Sequence, residues 1–275
     1  MAFIECKQLK DFTTILATVT DGVATLSLAR PDVHNAINNT MITEISSFFT
    51  EIEEDGNVRL VVIRGQGKSF CAGADLQWMK KSFTLSAQGN LEESEALSGL
   101  FKTIFNSSKI VIAEAHGNIF GGGVGLIAVC DLAYCTDNSR FSLSETRIGM
   151  AAATITPYLL QKIRSTDLKE LIFTAKNFNG EEAVRYGLIN QSFNDFDKME
   201  LYLNELIDVI MSNGKQALFA SKKLINRLIL QPIEEEMKHI PALFAKIRVS
   251  TEAQEGFTAF LEKKNPKWQA KVRKF

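Results

Sequence analysis

One local pattern occurs twice in this chain: an apolar, strand-like run, a turn of small residues, then an apolar helical stripe. In the first copy Val61-Val62-Ile63-Arg64 leads to Ser69-Phe70-Cys71-Ala72-Gly73-Ala74-Asp75-Leu76. In the second, Ile110-Val111-Ile112-Ala113 leads to Gly117-Asn118-Ile119-Phe120-Gly121-Gly122-Gly123-Val124-Gly125-Leu126. The first strand run lacks apolar–polar alternation, which predicts burial on both faces, as in a parallel sheet covered by helices. A helix that begins directly after a turn leaves its first backbone N–H groups unpaired and pointing outward. Glycine permits close approach there. Two such N–H groups aimed at one oxygen make an oxyanion hole, a device for stabilising an enolate or a tetrahedral anion. The bland alternative for Gly121-Gly122-Gly123 is close helix packing without a ligand.

The rest of the chain extends this strand–helix succession. Residues 13–19 and 23–29 read as strands around Asp21-Gly22, a favoured hairpin turn. Met41, Ile42, Ile45, Phe48, Phe49 and Ile52 form a helical stripe, with Asn38 or Asn39 as its cap. Ser82 to Asn90 is polar and contains Gly89, and reads either as a wall beside a ligand pocket or as a surface excursion. The helical stripe resumes at Ala96, and Leu132-Ala133-Tyr134-Cys135 reads as a further short strand. From Thr156 onward the pattern is helical nearly throughout, with long amphipathic runs at 198–211 and 215–229 and breaks at Pro232, Pro241 and Pro266. The fold class expected is α/β, with parallel strands inside and helices outside. The expected division is a catalytic core at 1–197 and a helical region at 198–275, which packs on the core or on another subunit.

Composition excludes several classes. At 275 residues with 45% apolar and 23% charged side chains, the chain has an ordinary globular profile. Lys and Arg number 31 against 32 Asp and Glu, so no nucleic-acid surface is indicated, although a local basic patch for a nucleotide-like group is compatible. Cys6, Cys71, Cys130 and Cys135 lack metal-ligand spacing and are expected to be buried free thiols. His34, His116 and His239 form no ligand set, and no G-x-G-x-x-G fingerprint is present, so neither a metal nor a dinucleotide is expected. The N-terminus lacks a basic leader followed by an apolar stretch. No apolar run approaches the ~18–20 residues that span a membrane, and a cytoplasmic location is expected.

Several motifs then occur together in one order. They are Arg30-Pro31-Asp32-Val33-His34-Asn35-Ala36-Ile37, the two junctions, Phe141-Ser142-Leu143-Ser144-Glu145-Thr146-Arg147-Ile148-Gly149-Met150, and Gly180-Glu181-Glu182-Ala183-Val184-Arg185-Tyr186-Gly187-Leu188. In this the chain resembles the enoyl-CoA hydratase/isomerase (crotonase) superfamily nearly end to end. The resemblance implies a crotonase-like spiral β-β-α core with a C-terminal helical region, assembled as a homotrimer or a dimer of trimers. It implies a coenzyme A thioester as substrate and no further cofactor. The backbone N–H groups of Ala74 and Gly122 would be the oxyanion donors and Glu145 the acid/base. Val33, His34 and Ala72 would meet coenzyme A, with Lys263 and Lys264 reaching its phosphates or remaining solvated charges. Leu76, Trp78, Gly125 and Met150 would line the acyl pocket, although core packing is an equal reading for Trp78 and Met79.

Gly125 departs from the pattern. Hydratases of the superfamily commonly use two glutamates, and glycine stands at the first of those positions. In one reading Glu145 alone takes the proton of water and returns one to the α-carbon, while Gly125 makes room for a branched or carboxylated β-substituent. The segments Cys71–Met79 and Ala153-Thr154-Ile155-Thr156-Pro157-Tyr158 resemble a bacterial branch that includes 3-methylglutaconyl-CoA hydratases of leucine breakdown. Arg147 is then a candidate for the distal carboxylate. In the other reading the protein is an isomerase, thioesterase or decarboxylase of the superfamily; a non-catalytic acyl-CoA-binding protein is the third. Asp75 is expected to cap its own loop, Asp131 to support a strand start, and His116 to be structural.

Overall fold

The Asp21-Gly22 hairpin forms with both residues in the left-handed region, at φ 50° and 79°, as a tight turn between twisted strands requires. In this computed structural model, which describes residues 7–269, β1 (Lys7–Gln8) pairs antiparallel with β2 (Ile15–Thr20), and β2 with β3 (Val23–Leu28). Next comes α1 (Asn39–Glu54), capped by the Asn38 side chain, which accepts from the Met41 N–H at 2.9 Å. Its apolar stripe from Met41 to Ile52 is buried. β4 (Leu60–Gly65) lies parallel to β3, and Leu60 to Ile63 are buried without alternation.

Two helices, α2 (Leu76–Ser82) and α3 (Ala87–Asn106), precede β5 (Ile110–Ala115), which is parallel to β4 and buried throughout. β6 (Asn118–Phe120) leaves the sheet and leads into α4 (Gly122–Ala128), after which β7 (Leu132–Thr136) returns parallel to β5. β8 (Arg140–Ser142), a 3₁₀ turn at Glu145–Ile148, α5 (Thr156–Leu159) and α6 (Ser165–Thr174) follow. The first unit is completed by β9 (Phe178–Asn179), α7 (Gly180–Arg185) and β10 (Gln191–Phe193). Among the described residues the main sheet has the order β1-β2-β3-β4-β5-β7-β10, and β6-β8-β9 make a smaller second sheet.

The polar stretch around Ser82–Asn90 is largely exposed, and its second half is already helical, because Ser86 caps α3 there by accepting from the Gly89 N–H at 3.1 Å. The first half of α3 simply buries nothing; its buried residues are Leu100, Phe101 and Ile104. After Thr156 the chain is largely helical, as expected, interrupted by the short strands β9 and β10, of which β10 joins the main sheet beside β7.

The chain divides into two compact units, the first ending at Met199 and the second beginning at Glu200. The second holds the rest of α8 (Phe196–Met211), then α9 (Lys215–Leu230), α10 (Ile233–Met237), α11 (Ile240–Arg248) and α12 (Thr251–Leu261). Glu252 caps α9 by accepting from the N–H groups of Gln216 and Ala217, each at 3.0 Å. No described helix is long and apolar enough to cross a membrane. Cys71, Cys130 and Cys135 are buried and outside any disulfide, and burial pushes the Cys71 and Cys135 thiols up to about 12. Cys6 lies outside the described residues.

Candidate active site

The orientation of the two candidate donors follows from what their neighbours bond. Ile37 donates its N–H to Gly73 O at 2.7 Å and accepts from the Asp75 N–H at 2.8 Å. In a trans peptide the carbonyl and the following N–H point opposite ways. With the Gly73 carbonyl aimed at Ile37, the Ala74 N–H therefore faces away from it, at a residue that is exposed. The same reasoning applies at α4. Gly121 O accepts from the Gly125 N–H at 3.1 Å, along the helix. The Gly122 N–H then points out of the helix N-terminus, where no intrahelical acceptor exists.

The two turns are stitched to each other. Cys71 donates to Asn118 O at 3.2 Å and accepts from the Phe120 N–H at 3.0 Å. Glycine is required at this seam. A β-carbon on Gly73, whose φ is +93°, would lie 2.9 Å from Phe120 O, and one on Gly123 would lie 2.3 Å from Cys71 O. Asp75 caps α2 by accepting from the Gln77 N–H at 2.7 Å and pairs with Arg30 at 2.7 Å. Burial alone would raise its pKa, but the Arg30 hydrogen bond, the Gln77 and Trp78 N–H groups and the Arg30 charge together hold it below 3.8.

Glu145 opens the 3₁₀ turn after β8. Its Oε1 lies 3.0 Å from where a β-carbon on Gly121 would stand, which sets the carboxylate against the residue preceding the Gly122 N–H. Its Oε2 is buried and has no hydrogen-bond partner. Burial raises its pKa above the ordinary 4.5, opposed in part by its own backbone N–H. Arg147 does not pair with it; its Nη2 donates to Ala175 O at 2.6 Å, which also removes the support for Arg147 as a free binder of a distal carboxylate.

Gly125 requires a correction. It does not open a space, because a β-carbon there would lie 2.3 Å from Ile155 Cγ2 and 3.0 Å from Phe101 Cζ. No sequence pattern announces these two neighbours, which arrive from α3 and from the segment before α5. Leu76 and Met150 are exposed. Trp78 is half-buried against the core, and its Nε1–H donates to Glu93 Oε2 at 2.8 Å. His34 is in the left-handed region at φ 53°, its Nδ1 lies 3.0 Å from Ser69 Oγ, and its carbonyl accepts from the Ala72 N–H at 3.0 Å. Val33, His34 and Ala72 are thus brought together beside the first turn, with Val33 and His34 exposed. Lys263 and Lys264 belong to the second unit, where Lys264 Nζ pairs with Glu262 at 2.9 Å. His116 donates its Nε2–H to Gly67 O at 2.8 Å and packs edge-on to Phe196, while Asp131 accepts from the Val111 N–H at 2.7 Å as a strand support.

The sequence profile of the Enoyl-CoA hydratase/isomerase family matches residues 18–271. The chain belongs to this family. Among similar members, the short-chain-enoyl-CoA hydratase of Clostridium acetobutylicum is 31% identical over 246 residues, 88% of this chain and 92% of that one. The mitochondrial Delta(3,5)-Delta(2,4)-dienoyl-CoA isomerase of Dictyostelium discoideum is 29% identical over 255 residues, 89% and 86% respectively. The solved structure of an enoyl-CoA hydratase from Shewanella pealeana superposes with a TM-score of 0.88 at 31% identity, covering 94% of this chain and 96% of that one. The fold is therefore the crotonase fold, and the chain is an enzyme of the crotonase superfamily whose relatives carry both hydratase and isomerase names.

Proposed function

We propose that this crotonase-superfamily enzyme hydrates a 2-enoyl-CoA thioester, with Glu145 as its acid/base and the N–H groups of Ala74 and Gly122 as its oxyanion donors. The observation that carries the reading is Glu145 itself: a desolvated carboxylate with an unpaired Oε2, set against Gly121 at the start of α4. The raised pKa makes it a stronger base than an ordinary carboxylate once ionised. Glu145 takes a proton from water as the oxygen adds to the β-carbon. Charge moves to the thioester oxygen, where two fixed donors stabilise the enolate. The carboxylic acid so formed then returns its proton to the α-carbon, which balances the addition.

Exposed Val33 and His34, joined to Ala72 by the His34 carbonyl, are proposed to meet the coenzyme A portion. A branched or carboxylated acyl group, as in 3-methylglutaconyl-CoA, is the finer reading. Its support is the sequence resemblance, because Ile155 and Phe101 fill the space beside Gly125.

A second reading, double-bond isomerisation, is favoured by the same single carboxylate, since moving a proton between carbons needs one base. Enoyl-CoA thioesters in ¹⁸O-labelled water separate the two. Hydration bleaches the conjugated absorbance and places label in the product; isomerisation moves the double bond and incorporates none. Unchanged turnover in Glu145→Gln would end both.

A further inference from the structure

The acid/base carboxylate has no hydrogen-bond partner at Oε2, so that oxygen is aimed by no donor group. Its place must come from the backbone that carries it, a single 3₁₀ turn closed by the Met150 N–H on Glu145 O at 3.0 Å and the Gly149 N–H on Thr146 O at 3.2 Å. An isolated turn is a poor foundation, because nucleating one fixes several dihedrals for few hydrogen bonds. This turn, however, is fastened at consecutive residues to the end of α6. Thr146 Oγ1 donates to Ile172 O at 2.9 Å, and Arg147 Nη2 donates to Ala175 O at 2.6 Å. Ser142 Oγ, at the end of β8, donates to the same Ala175 carbonyl at 3.3 Å.

Ala175 accepts both donors from an unusual conformation. It follows α6 at φ +47°, in the left-handed region that a residue with a β-carbon adopts only against a steric cost. It is 1% exposed, so the carbonyl lies in the interior, where an unmet acceptor is expensive. One carbonyl therefore ties the strand before Glu145 to the turn after it. The guanidinium also suits a helix C-terminus, whose carbonyls carry partial negative charge.

We propose that Thr146 and Arg147 are positioning residues that hold Glu145 over the reacting carbons, an inference that rests on the acid/base role proposed above. Displacing a catalytic group by about 1 Å costs up to ~10²-fold in rate. Loosening this turn therefore acts on turnover rather than on thioester binding.

The test uses the full chain with Thr146→Val, Arg147→Met and Arg147→Lys, each checked for a cooperative thermal transition. The expected result is a kcat lowered about tenfold in Thr146→Val and Arg147→Met, KM within about threefold of the parent, and partial recovery in Arg147→Lys. The acidic limb of the kcat/KM profile should also move to lower pH, because a loosened turn lets water reach Oε2. Parent-like kcat and an unmoved limb in folded variants would overturn the proposal, as would a raised KM with kcat intact. If Arg147→Met does not fold, Thr146→Val decides by the same measurements. Glu145→Gln run in parallel separates the two levels: normal turnover removes the acid/base role and the positioning role together. An inactive Glu145→Gln beside parent-like Thr146 and Arg147 variants removes positioning alone.

Discussion

Ile155 stands so close over Gly125 that its Cγ2 lies 2.3 Å from the place a β-carbon would take. Glycine at this position is thus a packing requirement of this chain's own interior. Gly125→Ala should cost about 1–3 kcal/mol in urea unfolding, as overpacking does. Combining it with Ile155→Ala, which removes Cγ2, should cost at least ~1 kcal/mol less than the two single changes summed. Strict additivity would mean that the two positions do not touch.

Glu145 should lower stability where it is ionised. Its folded pKa lies above the 4.5 of an ordinary glutamate because of burial. Below the unfolded value the protonated group does no harm, and the stability it allows is lost as pH rises through the folded value. Glu145→Gln should therefore melt higher than the parent at neutral pH, with the gap closing below about pH 4. A variant melting lower at pH 7 and equal at pH 4 would contradict the burial argument.

Asp75 has the opposite sign. Burial opposes its ionisation, yet Arg30 and the N–H groups of Gln77 and Trp78 prevail and hold the pKa below 3.8. Its contribution is present above 3.8 and is lost as pH falls through the folded value. Asp75→Ala removes a helix cap and one partner of a largely buried ion pair, and should cost about 3 kcal/mol near neutrality. The deficit should shrink in acid; a deficit independent of pH would assign it to packing instead.

The Trp78 indole is held by Glu93, whose other oxygen accepts from Asn39 Nδ2 at 2.7 Å. Trp78→Phe keeps one aromatic ring but loses the second ring of the half-buried indole and its Nε1–H donor, and should cost about 1–2 kcal/mol. A larger loss on Glu93→Ala is expected, because both Asn39 and Trp78 then lose their partner. Equal losses would show that the Asn39 bond contributes nothing.

What could be read from the sequence was what local chemistry decides. The Asp21-Gly22 hairpin, the Asn38 cap and the unalternating Leu60–Ile63 run each depend on a few neighbouring residues, and each is found where the pattern put it. The start of α3 was obscured because its first half faces solvent and shows no apolar stripe; only the Ser86 cap announces it. β10 was hidden for a different reason: three residues carry no period, and its partner β7 is far off in sequence. At the site, small residues in the two turns signalled the close approach. The identity of what they approach was not legible. Ile155 beside Gly125, and Ala175 beneath Arg147, are meetings between remote segments that no spacing rule encodes.

The bridges Ser69–Gly117 and Cys71–Ile119 join the loop before α2 to the segment before α4, and Ile37–Ala74 ties the same loop to the residues before α1. Neither turn can drift alone without unzipping the other. A substitution that shifts the backbone of one turn is therefore felt at the other, though the two lie far apart along the chain.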